Sequence, residues 1–483
     1  MSSHTAEPAI AHPASNAPQA ATLLPRAVAR SERAVAVRDV WLALWVSRLL
    51  VWVGGAGAVA TLGFGPLRHA FNPPGITRGF GWLGDVLAAP AARWDAAWYL
   101  VIAHYGYRPE LGSLTASRTA FFPLYPLGVR GLSDLGLAPV IAGVALSIAA
   151  LMAGLYALHR LTTLEASRLG LGGAGEVARL AVLLTALAPM ALYFSAIYSE
   201  SLYLAVSVGA FLQARRGRWA SAAALGALAA ATRSIGLLLL VPLLLLYLYG
   251  PREDRYPEKL HEDWRGDPGG MADSLLAQSR PTYRRLLRAL RPRYRVRADV
   301  LWLMLVPVGL GLYMGHLALA GGDALAPFHA EAVWSRHFAG PYGGVWDGAR
   351  AAFEGLRQLL SGQRHHVYYS AGRGSPFVDA GHNMLLLAFL FAAIPALVGV
   401  LRLLPAAYGV YVLAALALPL SYPVASQPLM SLPRFLVVLF PLNMWLAVRL
   451  AERPLALTRA VLVCSGVAMV FFAGEFSTWH WVA

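Results

Sequence analysis

The chain has 483 residues, of which 58% are hydrophobic and only 13% are charged. A soluble domain carries about 25% charged residues, so this composition excludes an ordinary soluble protein. The formal net charge is +15, but the basic residues lie mostly in loops between apolar runs. That distribution favours contact with lipid headgroups over binding of nucleic acid. The single cysteine, Cys464, excludes an intramolecular disulfide.

The amino-terminal residues 1–36 are rich in Ala, Pro and Ser and predict a disordered cytoplasmic tail. They do not fit a cleavable signal peptide, because the first apolar run starts too late and is too long. Residues 37–483 predict an all-α polytopic membrane domain with about eleven spans. The apolar runs are 40–64, 137–159, 178–197, 200–214, 218–232, 234–249, 299–320, 383–402, 405–423, 434–450 and 457–474.

Arginine clusters fall in alternate loops, which predicts the membrane orientation. With the amino terminus in the cytoplasm, the short basic loops and the basic stretch 250–298 all lie inside, as the positive-inside rule requires. The long loops 65–136 and 321–382 then lie outside. We expect the 250–298 loop to be a solvated linker that touches anionic headgroups.

The first outer loop carries the sharpest signal, the segment RWDAAWYLVIAHYGY that begins at Arg93. On a helix, Asp95, Trp98 and Tyr99 share one face by their three- and four-residue spacing. Aromatic residues alone would be typical of a membrane interface. A carboxylate among them needs a further explanation, since partial burial is costly without a partner.

Two interpretations of Asp95 remain open from the residues alone. In the structural one, Asp95 pairs with Arg93 or caps the helix start. In the functional one, Asp95 is a general base that accepts a proton from an acceptor hydroxyl. Trp94, Trp98 and Tyr99 would then pack on a sugar ring or a lipid headgroup.

Downstream, the segment Phe121–Leu127 contains two prolines three residues apart, which forbids a regular helix there. It predicts a bent, membrane-dipping piece that lines a cavity, with Tyr125 as a substrate-binding candidate. The alternative is an ordinary helix start kinked by proline.

Three further charged residues fall on the predicted outer side. Glu200 lies where two spans turn, and ionisable residues at membrane depth usually face a cavity or a partner. Arg233 and Arg434 run against the positive-inside trend, and the guanidinium fork matches phosphate. The alternatives are a hydrated loop glutamate and arginines that snorkel or form structural ion pairs.

The second outer loop contains several polar and aromatic residues that could contribute acceptor or lid contacts. The adjacent pair His365 and His366 is not a metal motif, because neighbouring side chains diverge. The other members are Trp334, Arg336, His337, Trp346, Asp347, Tyr368 and Tyr369.

The motifs together resemble the PIG-V family, whose eukaryotic members are the second mannosyltransferases of GPI-anchor assembly. The similarity spans about residues 40–450 and rests on Trp94-Asp95-x-x-Trp98-Tyr99 with Gly106-Tyr107, Phe121–Pro126, Tyr198-Ser199-Glu200, Thr232-Arg233 and Leu432-Pro433-Arg434-Phe435. The resemblance implies a GT-C-type helical glycosyltransferase that uses polyprenyl-phosphate sugars. It also implies a catalytic role for Asp95 and phosphate contacts for Arg233 and Arg434. The arginine bias predicts a bacterial member.

The expected reaction is an inverting transfer of a hexose, with mannose as the expected sugar, to a lipid, glycan or protein acceptor. Nucleotide sugars do not cross bilayers unaided, so an outer site favours a lipid-phosphate donor. The substrate-binding candidates are Arg93, Trp94, Trp98, Tyr99, Tyr125, Glu200, Arg233 and Arg434. The chemistry requires no cofactor in principle, and a carboxylate-bound divalent ion remains an alternative. The rival functions are a transporter or lipid flippase, and a non-catalytic partner of another transferase.

Overall fold

The computed structural model describes residues 20–65, 81–107, 117–255, 257, 292–368 and 375–482, with side chains from residue 31 onward. Within these ranges all regular structure is helical, apart from one isolated bridge between Arg336 and Val424. The prediction of a helical membrane protein is therefore confirmed at the level of fold class.

The helices follow one another along the chain with short connections. The first are α1 (Ala20–Leu62), α2 (Gly81–Ala88), α3 (Ala96–Tyr105), α4 (Leu124–Asp134), α5 (Pro139–Arg168), α6 (Ala174–Ala186) and α7 (Glu200–Arg215). The next are α8 (Trp219–Thr232), α9 (Leu240–Tyr249), α10 (Val306–Gly321), α11 (Ala326–Val333) and α12 (Gly340–Ser361). The last are α13 (Pro376–Leu403), α14 (Ala406–Leu420), α15 (Leu432–Val437), α16 (Phe440–Ala451) and α17 (Leu455–Ser477). Segments of 3₁₀ helix cover Ala191–Phe194, Ser234–Leu239 and Ala298–Leu305.

In the described part of the chain, five helical segments are long and apolar enough to cross a membrane, judged by length and composition. They are α1 from Ser31 onward, α5, the continuous segment Ala298–Gly321, α13 and α17. Three shorter apolar segments, α8, Ser234–Tyr249 and α14, accompany them. The number of eleven crossings stays a prediction.

Proline interrupts two of the apolar runs that the sequence predicted as single spans. In the run 178–197, α6 ends at Ala186 shortly before Pro189. In the run 434–450, α15 ends at Val437 and α16 restarts with Pro441 in its first turn. Proline lacks the amide hydrogen that continues a helix. Irregular backbone at membrane depth is tolerated where it is buried in protein or lines a cavity.

The structure corrects the boundary of the predicted tail, because α1 begins at Ala20 rather than near residue 37. The alanine-rich composition that suggested disorder also favours helix. Residues 1–19 lie outside the described residues, as do 66–80 and 108–116 of the predicted first outer loop. Most of the basic loop, residues 258–291, also lies outside them, so its predicted role stays a prediction.

Arg48 is buried inside the bundle and ties α1 to the irregular stretch after α6. Its guanidinium donates to the Ala191 carbonyl at 2.7 Å and to Ser195 Oγ at 2.9 Å. It also donates to the Ala186 carbonyl at 3.1 Å, at the end of α6. The helix break leaves these carbonyls without amide donors from the next turn. The Arg48 guanidinium supplies their hydrogen bonds instead. Arg48 therefore has a structural position inside the bundle.

Close contact between α8 and α10 depends on glycine and gives a first testable prediction. A Cβ built on Gly309 would overlap the Ala227 carbonyl, whereas one built on Gly311 meets nothing within 4 Å. We expect Gly309→Ala to lower the free energy of unfolding by about 1–3 kcal/mol, because the two backbones must separate. Thermal unfolding of the purified protein in detergent measures this.

Gly311→Ala is the matched control in the same helix. Because alanine is about 1 kcal/mol more favourable than glycine in a helix interior, that variant should be neutral or slightly more stable. Equal destabilisation by the two substitutions would contradict the close contact.

Candidate active site

Four charged side chains from distant parts of the chain form one connected ion-pair network. Arg434 Nη1 donates to Asp95 Oδ2 at 2.6 Å. Arg434 Nε lies 3.1 Å from Glu200 Oε1, a charge contact without hydrogen-bond alignment. Arg233 Nη1 donates to the same Glu200 oxygen at 2.7 Å. The network therefore runs Asp95–Arg434–Glu200–Arg233, with two positive and two negative charges.

Helix ends position three of these charges. Glu200 is the first residue of α7 and Asp95 immediately precedes α3. A helix amino terminus favours negative charge, because its amide hydrogens lack helical partners. Arg233 immediately follows α8, and a helix carboxyl terminus favours a cation. Arg434 lies within the short helix α15.

Glu200 is the buried centre of the network. Its side chain is 1% exposed, whereas those of Asp95 and Arg434 are 18% and 14% exposed. Within the described residues, Glu200 Oε2 is buried without a hydrogen-bond partner. This carboxylate therefore depends on the two arginines for its stabilisation.

Aromatic rings surround the two guanidinium groups. The Arg434 guanidinium carbon lies 5.4 Å from the centroid of Tyr198 and 5.8 Å from that of Phe435. The Arg233 guanidinium carbon lies 5.2 Å from the same Phe435 ring. Rings at this distance attract cations and limit their rotation.

The structure replaces the local contacts that the structural interpretation of Asp95 expected with a long-range one. The ion pair of Asp95 is with Arg434, and α3 begins without a side-chain capping hydrogen bond. Arg93 instead donates to backbone carbonyls, at 3.3 Å to Ser477 and 3.2 Å to Asp85. The Asp95 amide donates to Tyr198 Oη at 3.0 Å. Asp95 thus belongs to a long-range network rather than to a local cap.

The network borders a cavity of about 360 Å³. Of the predicted site residues, Asp95, Tyr99, Arg233 and Arg434 line it. The other polar or aromatic members of the lining are Phe121, Phe122, Thr232, Ser234, Phe328, Glu331, Trp334, Arg336, Tyr422, Ser431, Phe435 and Trp481. The aliphatic members include Ile235, Leu237, Leu238, Leu310 and Leu418. Charged side chains and an extensive apolar surface therefore line the same cavity.

Tyr99 connects the predicted aromatic segment to the network. Tyr99 Oη lies 2.9 Å from Ser199 Oγ, next to Glu200 in the chain. Burial raises the pKa of Tyr99 to about 12, and the negative charge of Glu200 adds to the effect. The phenol therefore stays neutral at physiological pH and can donate or accept a hydrogen bond.

Trp94 and Trp98 do not line the cavity. The Trp94 ring packs edge-on against Trp479 and Trp481, with centroids 5.5 and 5.1 Å apart. Trp98 is buried and stacks on Phe121 at 5.9 Å. Their positions fit support of the cavity wall, not the direct packing on a sugar that the sequence suggested.

Tyr125 is fully buried and lies away from the cavity lining. Its hydroxyl donates to the Gly143 carbonyl at 2.9 Å and lies 2.8 Å from Ser147 Oγ, both on α5. This bond holds α4 against α5, so Tyr125 has a structural position rather than the predicted substrate-binding one.

Glu331, Trp334 and Arg336 line the cavity from the predicted second outer loop. Sequence reasoning named Trp334 and Arg336 only among the members of that loop, and it did not single out Glu331. Arg336 Nε lies 3.5 Å from Glu331 Oε2. Partial burial raises the pKa of Glu331, and the positive charge of Arg336 opposes that rise. The available signal was the placement of Glu331 and Trp334 three residues apart, which puts them on one side of a helical turn.

Backbone strain concentrates around this cavity. Among the described residues, four non-glycine residues have positive φ: Trp94, Ser335, Ser431 and Trp479. Trp94 precedes Asp95, Ser335 lies between Trp334 and Arg336, Ser431 lines the cavity, and Trp479 packs against Trp94. Such conformations cost about 1–3 kcal/mol each and cluster at functional sites.

The described residues contain no group of three or more His, Cys, Asp or Glu that could hold a metal ion. Asp95 and Glu200 are separated by the Arg434 guanidinium and pair with it. A carboxylate whose charge is already neutralised by arginine is a poor ligand for a divalent cation. The residues present do not favour the metal-bound alternative.

Comparison with known proteins identifies relatives for part of the chain. Residues 74–248 match the family model described as Mannosyltransferase (PIG-V). GPI alpha-1,6-mannosyltransferase 2 of Homo sapiens is 32% identical over 181 residues, which is 35% of this chain and 34% of that protein. The protein of the same name from Cricetulus griseus is 33% identical over 182 residues, 36% of this chain and 35% of that one. No solved structure matches.

The match spans only about a third of the length of these curated relatives. It includes Asp95, Glu200 and Arg233, whereas Arg434 and the second outer loop lie beyond the region of the family model. The similarity is thus shorter than the range 40–450 expected from the motifs. It does not favour the transporter or flippase alternative, and it does not bear on bacterial origin. Over residues 74–248 the chain is similar to the PIG-V mannosyltransferase family, in agreement with the resemblance seen in its motifs.

Proposed function

We propose that this protein is a membrane mannosyltransferase. It transfers mannose, with inversion, from a polyprenyl-phosphate donor to an acceptor hydroxyl on the extracytoplasmic face. The observation that carries the proposal is the Asp95–Arg434 pair on the wall of a cavity that is both charged and apolar. Asp95 lies in the region that matches the mannosyltransferase family.

The composition of the cavity wall supports a lipid-linked donor. Three leucines form part of the apolar wall of the cavity. Leu237 and Leu238 follow Arg233 in the 3₁₀ segment, and Leu310 lies in α10, about three helical turns before the end of that helix. An apolar surface that leads from guanidinium groups toward the bundle suits a prenyl chain attached to a phosphate. A nucleotide sugar has no comparable apolar part.

The charge balance of the network suggests how a phosphate would act. Arg434 and Arg233 are already paired with Asp95 and Glu200. A donor phosphate therefore competes with these carboxylates for the guanidinium groups rather than entering an unpaired cationic site. When Arg434 turns toward phosphate, its hydrogen bond to Asp95 is released, and this carboxylate becomes free to bind the acceptor hydroxyl.

The proposed step is a single displacement. Asp95 takes the proton of the acceptor hydroxyl, and the hydroxyl oxygen forms a bond to the anomeric carbon. The bond between that carbon and the phosphate oxygen breaks, and the prenyl phosphate leaves with an additional negative charge. Arg434 and Arg233 stabilise that charge where it develops. Within the described residues Asp95 Oδ1 has no partner, so this oxygen is available to the acceptor.

The acceptor is a hydroxyl group of a lipid, glycan or protein, and membrane lipids surround the spans. Arginine placement supports a cytoplasmic amino terminus and an outer active site in the plasma membrane. A donor that has already crossed the bilayer fits this orientation.

The donor assay tests this function. Purified protein in lipid vesicles should transfer radiolabelled mannose from polyprenyl-phosphate mannose to a total envelope extract, and should not use GDP-mannose. The physical reason is that only the first donor supplies both the phosphate and the prenyl chain that the cavity suits. Transfer from GDP-mannose without a lipid donor would contradict the proposal. Sealed right-side-out membrane vesicles that receive the donor only from outside test whether transfer occurs on the extracytoplasmic face.

A further inference from the structure

Residues 331–336 contribute a carboxylate, an aromatic ring and a guanidinium to one wall of the cavity. Trp334 is 36% exposed and lines the cavity, and its ring packs against two other aromatic rings. Its centroid lies 5.9 Å from Trp98 and 6.1 Å from Phe121, both edge-on. Because Trp98 and Phe121 also stack on each other, the Trp334 ring has a fixed support.

Two charged side chains of the same segment line the cavity together with this ring. Arg336 donates to the Tyr422 carbonyl at 3.0 Å, and the isolated bridge to Val424 holds its backbone. Glu331 lies 3.5 Å from Arg336 and also lines the cavity. Between Trp334 and Arg336, Ser335 adopts a positive φ of 58°, which turns the chain so that both neighbours reach the hollow.

An aromatic ring that shares a cavity wall with a carboxylate and a guanidinium is suited to a pyranose. The C–H face of the sugar packs on the ring, while its hydroxyls donate to the carboxylate and accept from the guanidinium. A phosphate is a poorer match, since Glu331 repels it. A prenyl chain is also a poorer match, since it offers no hydrogen bond to either charged group.

We propose that Glu331, Trp334 and Arg336 form the subsite that binds a hexose ring. The inference rests on the proposed function and adds to it the position of the sugar. The hexose ring belongs either to the donor or to the acceptor. In both cases the subsite binds the same kind of sugar ring. Trp98 then acts as a positioning residue behind Trp334, not as the ring that touches the sugar.

Binding to the purified full chain in nanodiscs tests the subsite with three probes. They are a short-chain prenyl phosphate, the corresponding prenyl-phosphate mannose, and methyl α-mannopyranoside added in the presence of prenyl phosphate. We expect Trp334→Ala and Glu331→Gln to weaken binding of one mannose-containing probe by about tenfold. Both variants should bind prenyl phosphate as the wild type does.

Controls separate binding from folding. Trp346→Ala removes a tryptophan from the same loop that is 69% exposed and absent from the cavity lining, so its affinities should equal those of the wild type. Trp334→Phe retains a ring against Trp98 and Phe121 and should bind more tightly than Trp334→Ala. Glu331→Gln preserves shape, so it remains informative if Trp334→Ala fails to fold.

The results assign the source of the sugar. Weakened binding of prenyl-phosphate mannose alone assigns the subsite to the donor, and weakened binding of methyl mannopyranoside alone assigns it to the acceptor. Unchanged affinity for both mannose probes in Glu331→Gln and Trp334→Ala overturns the inference and leaves the proposed function standing. A wild-type protein that binds none of the three probes overturns the proposed function itself.

Discussion

Asp95→Asn is expected to reduce mannose transfer by about 10²–10⁴-fold, because an amide cannot take the proton of the acceptor hydroxyl. The variant should still fold, since Arg434 keeps its contact with Glu200 at 3.1 Å when Asp95 loses its charge. Transfer is measured with polyprenyl-phosphate mannose in vesicles that contain equal amounts of wild-type and variant protein.

Two further variants define the result. Asp134→Asn changes a carboxylate whose side chain is 71% exposed and lies outside the network, so its activity should equal that of the wild type. Asp95→Glu keeps a base but displaces it by one methylene, so it should retain more activity than Asp95→Asn. An Asp95→Asn protein that transfers mannose at the wild-type rate would remove this carboxylate from the chemistry.

Glu200→Ala is expected to have the largest effect on stability. Its carboxylate is 1% exposed and contacts both arginines, so its removal leaves Arg233 and Arg434 with only Asp95 to balance them. Breaking one partner of a buried pair costs about 3–5 kcal/mol, because a charge is left without compensation. Thermal unfolding in detergent measures the loss, and transfer activity should fall with it because Arg434 is no longer held between two carboxylates.

A matched surface substitution and a double variant test this explanation. Glu176→Ala removes a glutamate that is 72% exposed and lies 3.9 Å from Arg179, a kind of pair worth about 0–1 kcal/mol. Removing Arg233 together with Glu200 should recover part of the lost stability, since Arg434 then retains Asp95. If Glu200→Ala and Glu176→Ala unfold at the same temperature, Glu200 is not the centre of a buried network.

Part of the fold and of the candidate site follows from local sequence. Apolar run length predicted helices such as α5 and α13, because the hydrocarbon layer requires about 20 apolar residues whatever the tertiary arrangement. The same composition rule was wrong about residues 20–36, where alanine is compatible with both a tail and a helix. Apolar composition also could not reveal that prolines break the runs 178–197 and 434–450, because hydropathy counts side chains and not backbone hydrogen bonds.

The sequence by itself determined that Asp95, Glu200, Arg233 and Arg434 are unusual, because charge among apolar residues needs a partner wherever the chain places it. Only the tertiary structure decided which of these side chains form ion pairs with one another. Asp95 and Arg434 are far apart in the chain and meet at 2.6 Å, whereas the neighbouring Arg93 turns to backbone carbonyls. Tertiary structure also placed Trp334 rather than Trp94 on the cavity wall. The physical reason is that helix spacing fixes which side chains share a face, but packing between helices fixes which faces meet.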